Sequence, residues 1–278
     1  MATLLPRLTV RLAEAPAVAP ALIGRTPEQA VALVGPVHSL CAHAHVEAAE
    51  RAIAAASNVA LPEARSAVLS AATRAEAIRE QGMRIALDWP GLIGEAPDMA
   101  AASGWMRAGD DAARRRAIGP LLGMAGADWL RGDIRAWLAA ATTMPARVIA
   151  GMTRFDEAGI ADGREVSPWM RHRGAPMLAA VPALAARFLA RLLDLVAAVE
   201  GVLPKGGVWT ARGRLAHRCD MAGGRITTYA IESPTEVHFG PDGVATRALC
   251  RAAAGPRAGF EAIVRAFDPC LPFTIEAA

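Results

Sequence analysis

The sequence predicts a mainly α-helical protein, one domain over residues 1–278, with a helical bundle core and a small antiparallel β-sheet in its C-terminal part. Of its 278 residues, 53% are hydrophobic but only 5% aromatic, which is typical of alanine-rich helical proteins. Long segments place apolar residues at helical spacing, whereas residues 209–231 alternate with a period of two. A chain of this length can bury a sizeable core.

The N-terminal part is predicted to contain an arm and a short helix. The first two dozen residues show no firm period, so we expect an extended arm or a short strand there. Thr26-Pro27 should begin a helix, because proline is well tolerated at the first helical position. Gly35-Pro36 should end it.

A second helix is predicted to start near Cys41 with Ser39 as its cap. Residues four apart share a helix face, so Cys41 and His45 should point in the same direction. Glu47 and Arg51 have the same spacing and are predicted to form an exposed ion pair.

Longer helices are predicted further along the chain. Residues 62–89 should form one helix with Trp89 in the core and a buried stripe, and residues 182–200 another. With the Cys41 helix they should form the central bundle. Shorter helices are expected at 111–122, 127–141 and 145–157, with three tryptophans as core anchors. The stripe comprises Val68, Ala72, Ala75, Ile78 and Ile85, and the anchors are Trp105, Trp129 and Trp137.

The most apolar stretch, residues 177–199, is long enough to suggest a membrane span. Arg187, Arg191 and Asp194 interrupt it at helical spacing, so we predict a buried helix with one narrow solvated stripe and no membrane insertion. Downstream, two segments with a period of two, Trp209–Met221 and Arg225–Ile231, flank Ala222-Gly223-Gly224 and predict a β-hairpin.

Charge and cysteine usage exclude several functions. The net charge is +3, but the arginines are scattered and aromatic residues are few, so we predict no nucleic-acid surface. Arg114-Arg115-Arg116 should be a solvated helix face. The four cysteines show no paired spacing, and the sequence has no signal peptide motif, which favours a reducing cytoplasm. Cys219 and Cys250 are predicted to be packing residues.

Two segments near the ends of the chain carry a resemblance. Asp268-Pro269-Cys270 places a thiol where a helix must stop, and Cys41 opens a helix at the other end. Ala86-Leu87-Asp88-Trp89 closes the long helix between them. In this order the three motifs resemble the large subunit of nickel–iron hydrogenases. That family has one Cys-x-x-Cys pair near each end, and the two pairs enclose a metal centre.

Departures from the family pattern fall at its metal ligands. The second thiol of each pair would stand at Ala44 and at Phe273, and the terminal histidine corresponds to Glu276. Two residues follow Glu276, so we expect no C-terminal extension of the kind that family precursors lose. The sequence therefore most resembles the maturation paralogues of the family, the hydrogenase expression/formation proteins of the HupK type.

A second part of the resemblance lies in the predicted hairpin. Arg212, Gly213, Leu215 and His217 match the family's Ala-Pro-Arg-Gly-x-Leu-x-His segment, whose arginine lies over the iron. Pro234-Thr235 matches the Pro-Thr segment near the iron's cyanide ligands. The resemblance thus implies that Arg212, Pro234 and Thr235 bind a cofactor. A guanidinium and a hydroxyl can hold anionic acceptor ligands by charge-assisted hydrogen bonds.

The thiols that remain limit the metal chemistry. In the family each second cysteine bridges nickel to iron, so losing both removes the bridges. Two thiolates still suit a single iron or nickel ion, and His45 lies near Cys41 on one helix face. Cys41, Cys270 and His45 are therefore the predicted metal ligands. We expect the two thiols to meet beside Arg212.

Three functions stay open from the sequence. The first, which the resemblance favours, is a non-enzymatic maturation factor that transiently holds an iron-cyanide-carbonyl unit. It would act with hydrogenase accessory chaperones and the hydrogenase large subunit. The second is a divergent oxidoreductase subunit, which the missing bridges and the absence of an Arg-x-Glu-Gly signature around Leu8 to Leu12 disfavour. The third is a metal-free structural pseudo-subunit, in which Cys41 and Cys270 would be dispensable.

Overall fold

The structure is a computed structural model, and it describes residues 7–14, 17–158, 160, 163–204 and 206–277. The described chain is mainly helical, as predicted, and it has two small antiparallel sheets where the sequence predicted one. Short 3₁₀ turns cover Pro90–Ile93, Thr153–Ala158 and Pro176–Ala180. In chain order the strands and helices are β1 (Leu8–Leu12), α1 (Val18–Leu22), α2 (Pro27–Val37), α3 (Ala42–Ala56), α4 (Glu63–Leu87), α5 (Met99–Arg107), α6 (Asp111–Leu122), α7 (Gly126–Arg131), α8 (Ile134–Ala140), α9 (Met144–Met152), α10 (Pro168–His172), α11 (Ala183–Glu200), β2 (Val208–Thr210), β3 (Gly213–Ala222), β4 (Arg225–Glu232), α12 (Pro234–Phe239), α13 (Val244–Ala252), α14 (Arg257–Phe267) and β5 (Phe273–Ala277).

Helix α11 is the central element of the core, because every residue from Leu184 to Val199 is buried. The solvated stripe that the sequence predicted on this helix is wrong. Its three charged residues are buried, and each is paired with a group on another element: Arg187 with Glu165, Arg191 with Asp268, and Asp194 with His172. In the described part of the chain, no helix has the length and apolarity needed to cross a lipid bilayer.

Helices α3 and α4 pack against each other, and α4 packs against α11. The predicted core stripe of α4 is wrong at Val68, which is 60% exposed, whereas its neighbour Leu69 is buried. At Gly82 an added Cβ would lie 2.2 Å from the Trp105 ring, so α5 lies directly on the backbone of α4. Glycine is needed for that close approach.

The start of α3 differs from the prediction. Helix α2 continues through Pro36 to Val37, and the residue before α3 is Cys41, without a side-chain cap from Ser39. A carboxylate on α4 takes that role: Glu76 accepts hydrogen bonds from the backbone N–H groups of His43 and Ala44. Free N–H groups at a helix start favour a negative charge, so Glu76 fixes the position of Cys41.

The pair of Glu47 and Arg51 also differs from the prediction, because Glu47 is 2% exposed. Its Oε1 atom accepts hydrogen bonds from Arg51 and from Ser70 of α4. Glu47 is therefore part of the contact between α3 and α4 and not of the protein surface.

In the middle region, α6 has the predicted bounds, and Trp105, Trp129 and Trp137 are buried as predicted. The helix predicted over 127–141 is two helices, α7 and α8. Gly132 ends the first, and the Asp133 carboxylate accepts from two N–H groups at the start of the second. Helix α5 was not predicted.

The predicted hairpin is present as β3 and β4, paired from Ala216↔Glu232 to Ala222↔Arg225. The predicted first strand is interrupted, however, because the chain turns between β2 and β3 with Thr210 paired to Gly213. Arg212 lies in that turn. Its position follows from the turn rather than from a continuous strand.

A separate two-stranded sheet joins the two ends of the described chain. Strand β1 pairs antiparallel with β5, from Leu8↔Ala277 to Leu12↔Phe273. This confirms a strand in the N-terminal arm, but the sequence did not predict its partner. The pairing positions the segment that carries Cys270, which lies three residues before β5.

Gly213 is the position in the hairpin that we expect to tolerate substitution least. Its φ is +140°, and an added Cβ would lie 2.2 Å from the Val166 carbonyl oxygen. Gly213→Ala should therefore lower the free energy of unfolding by about 3 kcal/mol or more, from backbone strain and the clash together. Urea unfolding measures the loss.

Gly224 provides the matched control. It also has a positive φ, +74°, but no atom lies within 4 Å of its added Cβ. Gly224→Ala should cost only about 1 kcal/mol. Equal losses for the two variants would contradict the role assigned to the close approach at Gly213.

Candidate functional site

A cavity of about 410 Å³ lies between the start of α3, the start of α12 and the segment before β5. The three predicted metal ligands, Cys41, Cys270 and His45, all line it. His38 and Glu236 lie in its wall as well. The fold thus brings together residues from opposite ends of the sequence.

Cys270 is held by Thr235. The Thr235 hydroxyl donates to Cys270 Sγ at 3.1 Å and accepts from the Cys270 backbone N–H at 2.9 Å. Thr235 stands in the first turn of α12, where Ser233 forms a capping box with Glu236 and Pro234 occupies the first position. Pro234-Thr235 therefore fixes the backbone at Cys270, which is a role the structure gives it without any cofactor.

Arg212 is 3% exposed, and its Nε, Nη1 and Nη2 atoms all lack a hydrogen-bond partner within the described residues. Its contacts with Glu80 at 3.5 Å and with Asp268 at 3.4 Å are ion pairs without hydrogen-bond geometry. Burial alone would lower the pKa of the guanidinium, but Asp268 and Glu80 raise it above its ordinary value. A charged, buried donor group without acceptors is unusual and favours a function.

Asp268 is the centre of a group of buried charges. It adopts a left-handed conformation with φ +44° at the end of α14 and accepts a hydrogen bond from Arg191 at 2.9 Å. Burial would raise the pKa of its carboxyl, but Arg212, Arg191 and Arg84 outweigh burial and hold that pKa below its usual range. The carboxylate therefore balances the positive charge beside the cavity.

The Cys41 thiol is protonated at neutral pH, because its pKa is raised to about 12. Burial is the largest cause, and the nearby Cys270 adds to it, while Arg212 acts in the opposite direction. Both neighbours are thus within electrostatic reach of Cys41. A metal that binds here must displace the thiol proton, so binding should release protons and weaken at low pH.

Two of the residues that line the cavity are His38 and His45. The rings of His38 and His45 are stacked, with centroids 3.4 Å apart. His45 Nδ1 lies 3.0 Å from His217 Nε2, and His217 Nδ1 lies 2.8 Å from the Tyr229 hydroxyl. Burial lowers the pKa of His45 to about 2 and that of His217 to about 3, so both rings are neutral at pH 7.

The cavity offers fewer metal-binding side chains than a centre with two metal ions needs. At the positions of the family's bridging thiols stand Ala44, which is fully buried, and Phe273. Among the described residues, no three or more His, Cys, Asp or Glu side chains converge as a metal site. The roles of Cys41, Cys270 and His45 as metal ligands stay predictions. Ala44 and Phe273 offer no donor atom for a bridged nickel–iron pair.

The other two cysteines lie outside the cavity. Cys219 packs against an apolar cluster that includes Ile226 and Tyr229. Cys250 is exposed, so its prediction as a packing residue is wrong. Polar residues of the cavity and its surroundings that the sequence did not reveal are Glu76, Glu80 and His38. Only His38 had a signal, its position three residues before Cys41.

Stability should fall in acid because of three buried histidines. The pKa of His238 is lowered by burial to about 3, as those of His45 and His217 are lowered to about 2 and 3, from an ordinary value of 6.5. Between pH 6.5 and pH 3 the unfolded chain binds protons that the folded chain does not. The stability that these three rings contribute is therefore complete above pH 6.5 and declines below it, by about 4 kcal/mol per pH unit at most.

Urea unfolding at pH 7, 6 and 5 measures this decline. His238→Gln removes one of the three groups and should reduce the slope by about a third. Glu76, whose pKa is raised by burial, opposes the effect only at pH values above 4.5. A free energy of unfolding that stays constant down to pH 5 would show that these histidines are accessible to protons in the folded state.

Comparison with known proteins agrees with the fold. No protein-family model matches the sequence. A hydrogenase expression/formation protein HupK of Rhizobium leguminosarum bv. viciae is 30% identical over 91% of this chain and 88% of its own length. The HupK protein of Azotobacter vinelandii is 39% identical over 84 residues, 29% of this chain.

Solved structures similar to this fold include hydrogenases and an archaeal respiratory membrane complex. The nickel–iron–selenium hydrogenase of D. vulgaris Hildenborough superposes with a TM-score of 0.59 at 11% identity, covering 96% of this chain and 97% of that one. An archaeal membrane-bound sulfane sulfur reductase gives a TM-score of 0.56 at 14% identity, over 92% and 87% of the two chains. These likenesses establish the large-subunit fold, and the relative from Rhizobium, similar over nearly its whole length, shows that the chain belongs to the HupK family of hydrogenase expression/formation proteins.

Proposed function

We propose that this protein is a non-enzymatic hydrogenase maturation factor that holds an iron-cyanide-carbonyl unit in the cavity between Cys41 and Cys270. The observation that carries the proposal is Arg212. Its three guanidinium nitrogens are buried within electrostatic reach of two thiols, and within the described chain none makes a hydrogen bond. An anionic ligand would supply the acceptors that these donors lack.

The free-energy cost of buried donors without acceptors favours an anion bound beside Arg212 over an empty site. A buried donor without a partner costs about 1–3 kcal/mol, and more when it is charged. The ion-pair contacts of Arg212 with Glu80 and Asp268 offset part of this cost but leave its N–H groups unsatisfied. Cyanide nitrogens on iron are acceptors with negative charge, so they fit the unsatisfied donors.

The same site is poorly suited to a complete nickel–iron centre. Two thiols can hold one metal ion through two bonds, but bridging a second ion needs the sulfur atoms that Ala44 and Phe273 do not supply. The protein would therefore bind the iron unit and release it, rather than retain a finished centre. That behaviour suits a scaffold and supports a non-enzymatic role.

Partners follow from the likeness of the fold. A protein that has the shape of the hydrogenase large subunit can contact the accessory chaperones that recognise that subunit, and it can pass cargo to the subunit itself. Both are proposed partners, and the cytoplasm is the proposed compartment. HupK relatives carry names that refer to hydrogenase expression and formation, which supports this setting.

Infrared spectroscopy tests the cargo directly. Protein purified without oxygen from cells that express the maturation machinery should show cyanide and carbonyl stretching bands, with iron by metal analysis. Cys41→Ala and Cys270→Ala should each remove the bands, because a single thiolate holds the unit too weakly. Cys250→Ala changes an exposed thiol outside the cavity and should keep them.

Two results would contradict the proposal. Bands that persist in both cavity variants would place the unit elsewhere. A protein without bands, whose Cys41 and Cys270 variants still support hydrogenase maturation in cells, would instead favour a structural pseudo-subunit.

A further inference from the structure

The hydrogen bonds of His38 fix which of its ring nitrogens can bind a ligand. Its Nδ1 atom lies 2.8 Å from the Val34 carbonyl oxygen, and a carbonyl can only accept. Nδ1 must therefore carry the proton. In the neutral ring this leaves a lone pair on Nε2, and His38 lies in the wall of the cavity.

Hydrogen bonds that run from Tyr229 through His217 to His45 fix which ring nitrogen of His45 carries the proton. The result is opposite to that for His38. The Tyr229 hydroxyl is close to one partner within the described residues, His217 Nδ1 at 2.8 Å. If it accepted from that nitrogen, its own proton would have no acceptor in a residue that is only 9% exposed. The favoured arrangement is therefore a hydroxyl that donates to His217 Nδ1.

The same reasoning about donors and acceptors applies to the hydrogen bond between His217 and His45. With a lone pair on Nδ1, His217 carries its proton on Nε2 and donates it to His45 Nδ1, 3.0 Å away. The neutral His45 ring then has its proton on Nε2, the nitrogen not bonded to His217. Since His45 also lines the cavity, that N–H is the group it can offer to a ligand.

We propose that the stacked His38 and His45 rings have opposite roles at the cavity: His38 Nε2 supplies a lone pair for a metal ion, and His45 Nε2 donates a hydrogen bond to an acceptor. His217 and Tyr229 are positioning residues that fix the proton on His45. The metal-binding imidazole is then His38, whereas the sequence had predicted His45. Nickel–iron chemistry is not needed for this assignment, which comes from hydrogen bonds alone.

The stacked rings of His38 and His45 also define which class of ligand can bind. A bare cation would be bound by His38 and repelled by the N–H of His45. A metal complex that carries its own acceptor ligands satisfies both rings, which are only 3.4 Å apart at their centroids. This last step rests on the proposed function, while the proton positions do not.

Nuclear magnetic resonance of the metal-free protein, labelled with ¹⁵N in histidine, tests the proton positions. Long-range ¹H–¹⁵N spectra distinguish a protonated ring nitrogen from one with a lone pair. We expect His38 protonated on Nδ1 and both His45 and His217 protonated on Nε2. Tyr229→Phe removes only the hydroxyl and should give His45 and His217 a mixture of the two forms, with His38 unchanged. A wild-type His45 protonated on Nδ1 would overturn the assignment.

Cobalt(II) is the probe for the lone pair. His38→Ala should weaken cobalt binding by about tenfold or more, whereas His45→Ala should strengthen it, because the N–H that repels a bare cation is removed. The reverse order, or a wild-type protein that binds no cobalt, would overturn the role of His38. Because the resonance experiment uses metal-free protein, it decides the proton positions even if the infrared experiment finds no iron unit.

Discussion

Asp268→Ala should lower the free energy of unfolding by about 3–5 kcal/mol, the largest effect that we expect from a single change near the cavity. Asp268 is 5% exposed and accepts a hydrogen bond from Arg191, which is itself 2% exposed. Removing the carboxylate leaves the buried charges of Arg191 and Arg212 without their shared counterion. Urea unfolding at pH 7 measures the loss.

Asp242→Ala is the matched control for this variant. Asp242 also pairs with an arginine, Arg247, at 3.2 Å, but its side chain is 78% exposed. Exposed ion pairs contribute about 0–1 kcal/mol, so this variant should remain close to wild type. A loss at Asp268 as small as the loss at Asp242 would mean that water reaches the buried charges.

Arg212→Met should separate cargo binding from stability. Methionine fills similar space without charge, and Asp268 keeps its hydrogen bond from Arg191, so the free energy of unfolding should fall by less than the about 3 kcal/mol expected for Arg191→Met. Binding of the iron unit should fall about 100-fold or more, because its charged ligands lose a buried guanidinium. The intensity of the cyanide bands per protein measures occupancy.

Arg191→Met is the comparison for Arg212→Met, because the Arg191 guanidinium has hydrogen-bond partners within the protein. Arg191 donates to Asp268 and to the Arg265 carbonyl oxygen, so its replacement should cost about 3 kcal/mol of stability. If Arg212→Met is equally destabilising, the main role of the Arg212 guanidinium is to balance the charge of Asp268 rather than to bind a ligand.

Local patterns predicted the helices well but not their exact faces. The stripe on α4 was assigned from apolar spacing, which does not distinguish Val68 from Leu69 when alanine or serine occupies most neighbouring positions. The buried side of α4 is also partly polar, with Glu76 and Gln81. Their partners, the start of α3 and Asp194, are distant in sequence, so no local pattern reveals them.

The candidate site, too, was predicted only in part. Cys41, Cys270 and His45 were predicted from motifs, and the fold places them around one cavity. The interruption of the strand at Arg212 was missed, because period-two spacing continues across the turn. The histidine chain could not be predicted, since Tyr229 and His217 meet only through the register of β3 and β4.

The pairing of β1 with β5 has a consequence for how the cavity is made during synthesis. Arg11 and Glu276, which form an ion pair across the two strands, are 265 positions apart, and closing a loop of that length costs about 5 kcal/mol of chain entropy. Translation adds about 5–20 residues per second, so Cys41 leaves the ribosome roughly 10–50 s before Cys270. The Cys41 side can therefore fold first, and the cavity closes only when the last strand is added.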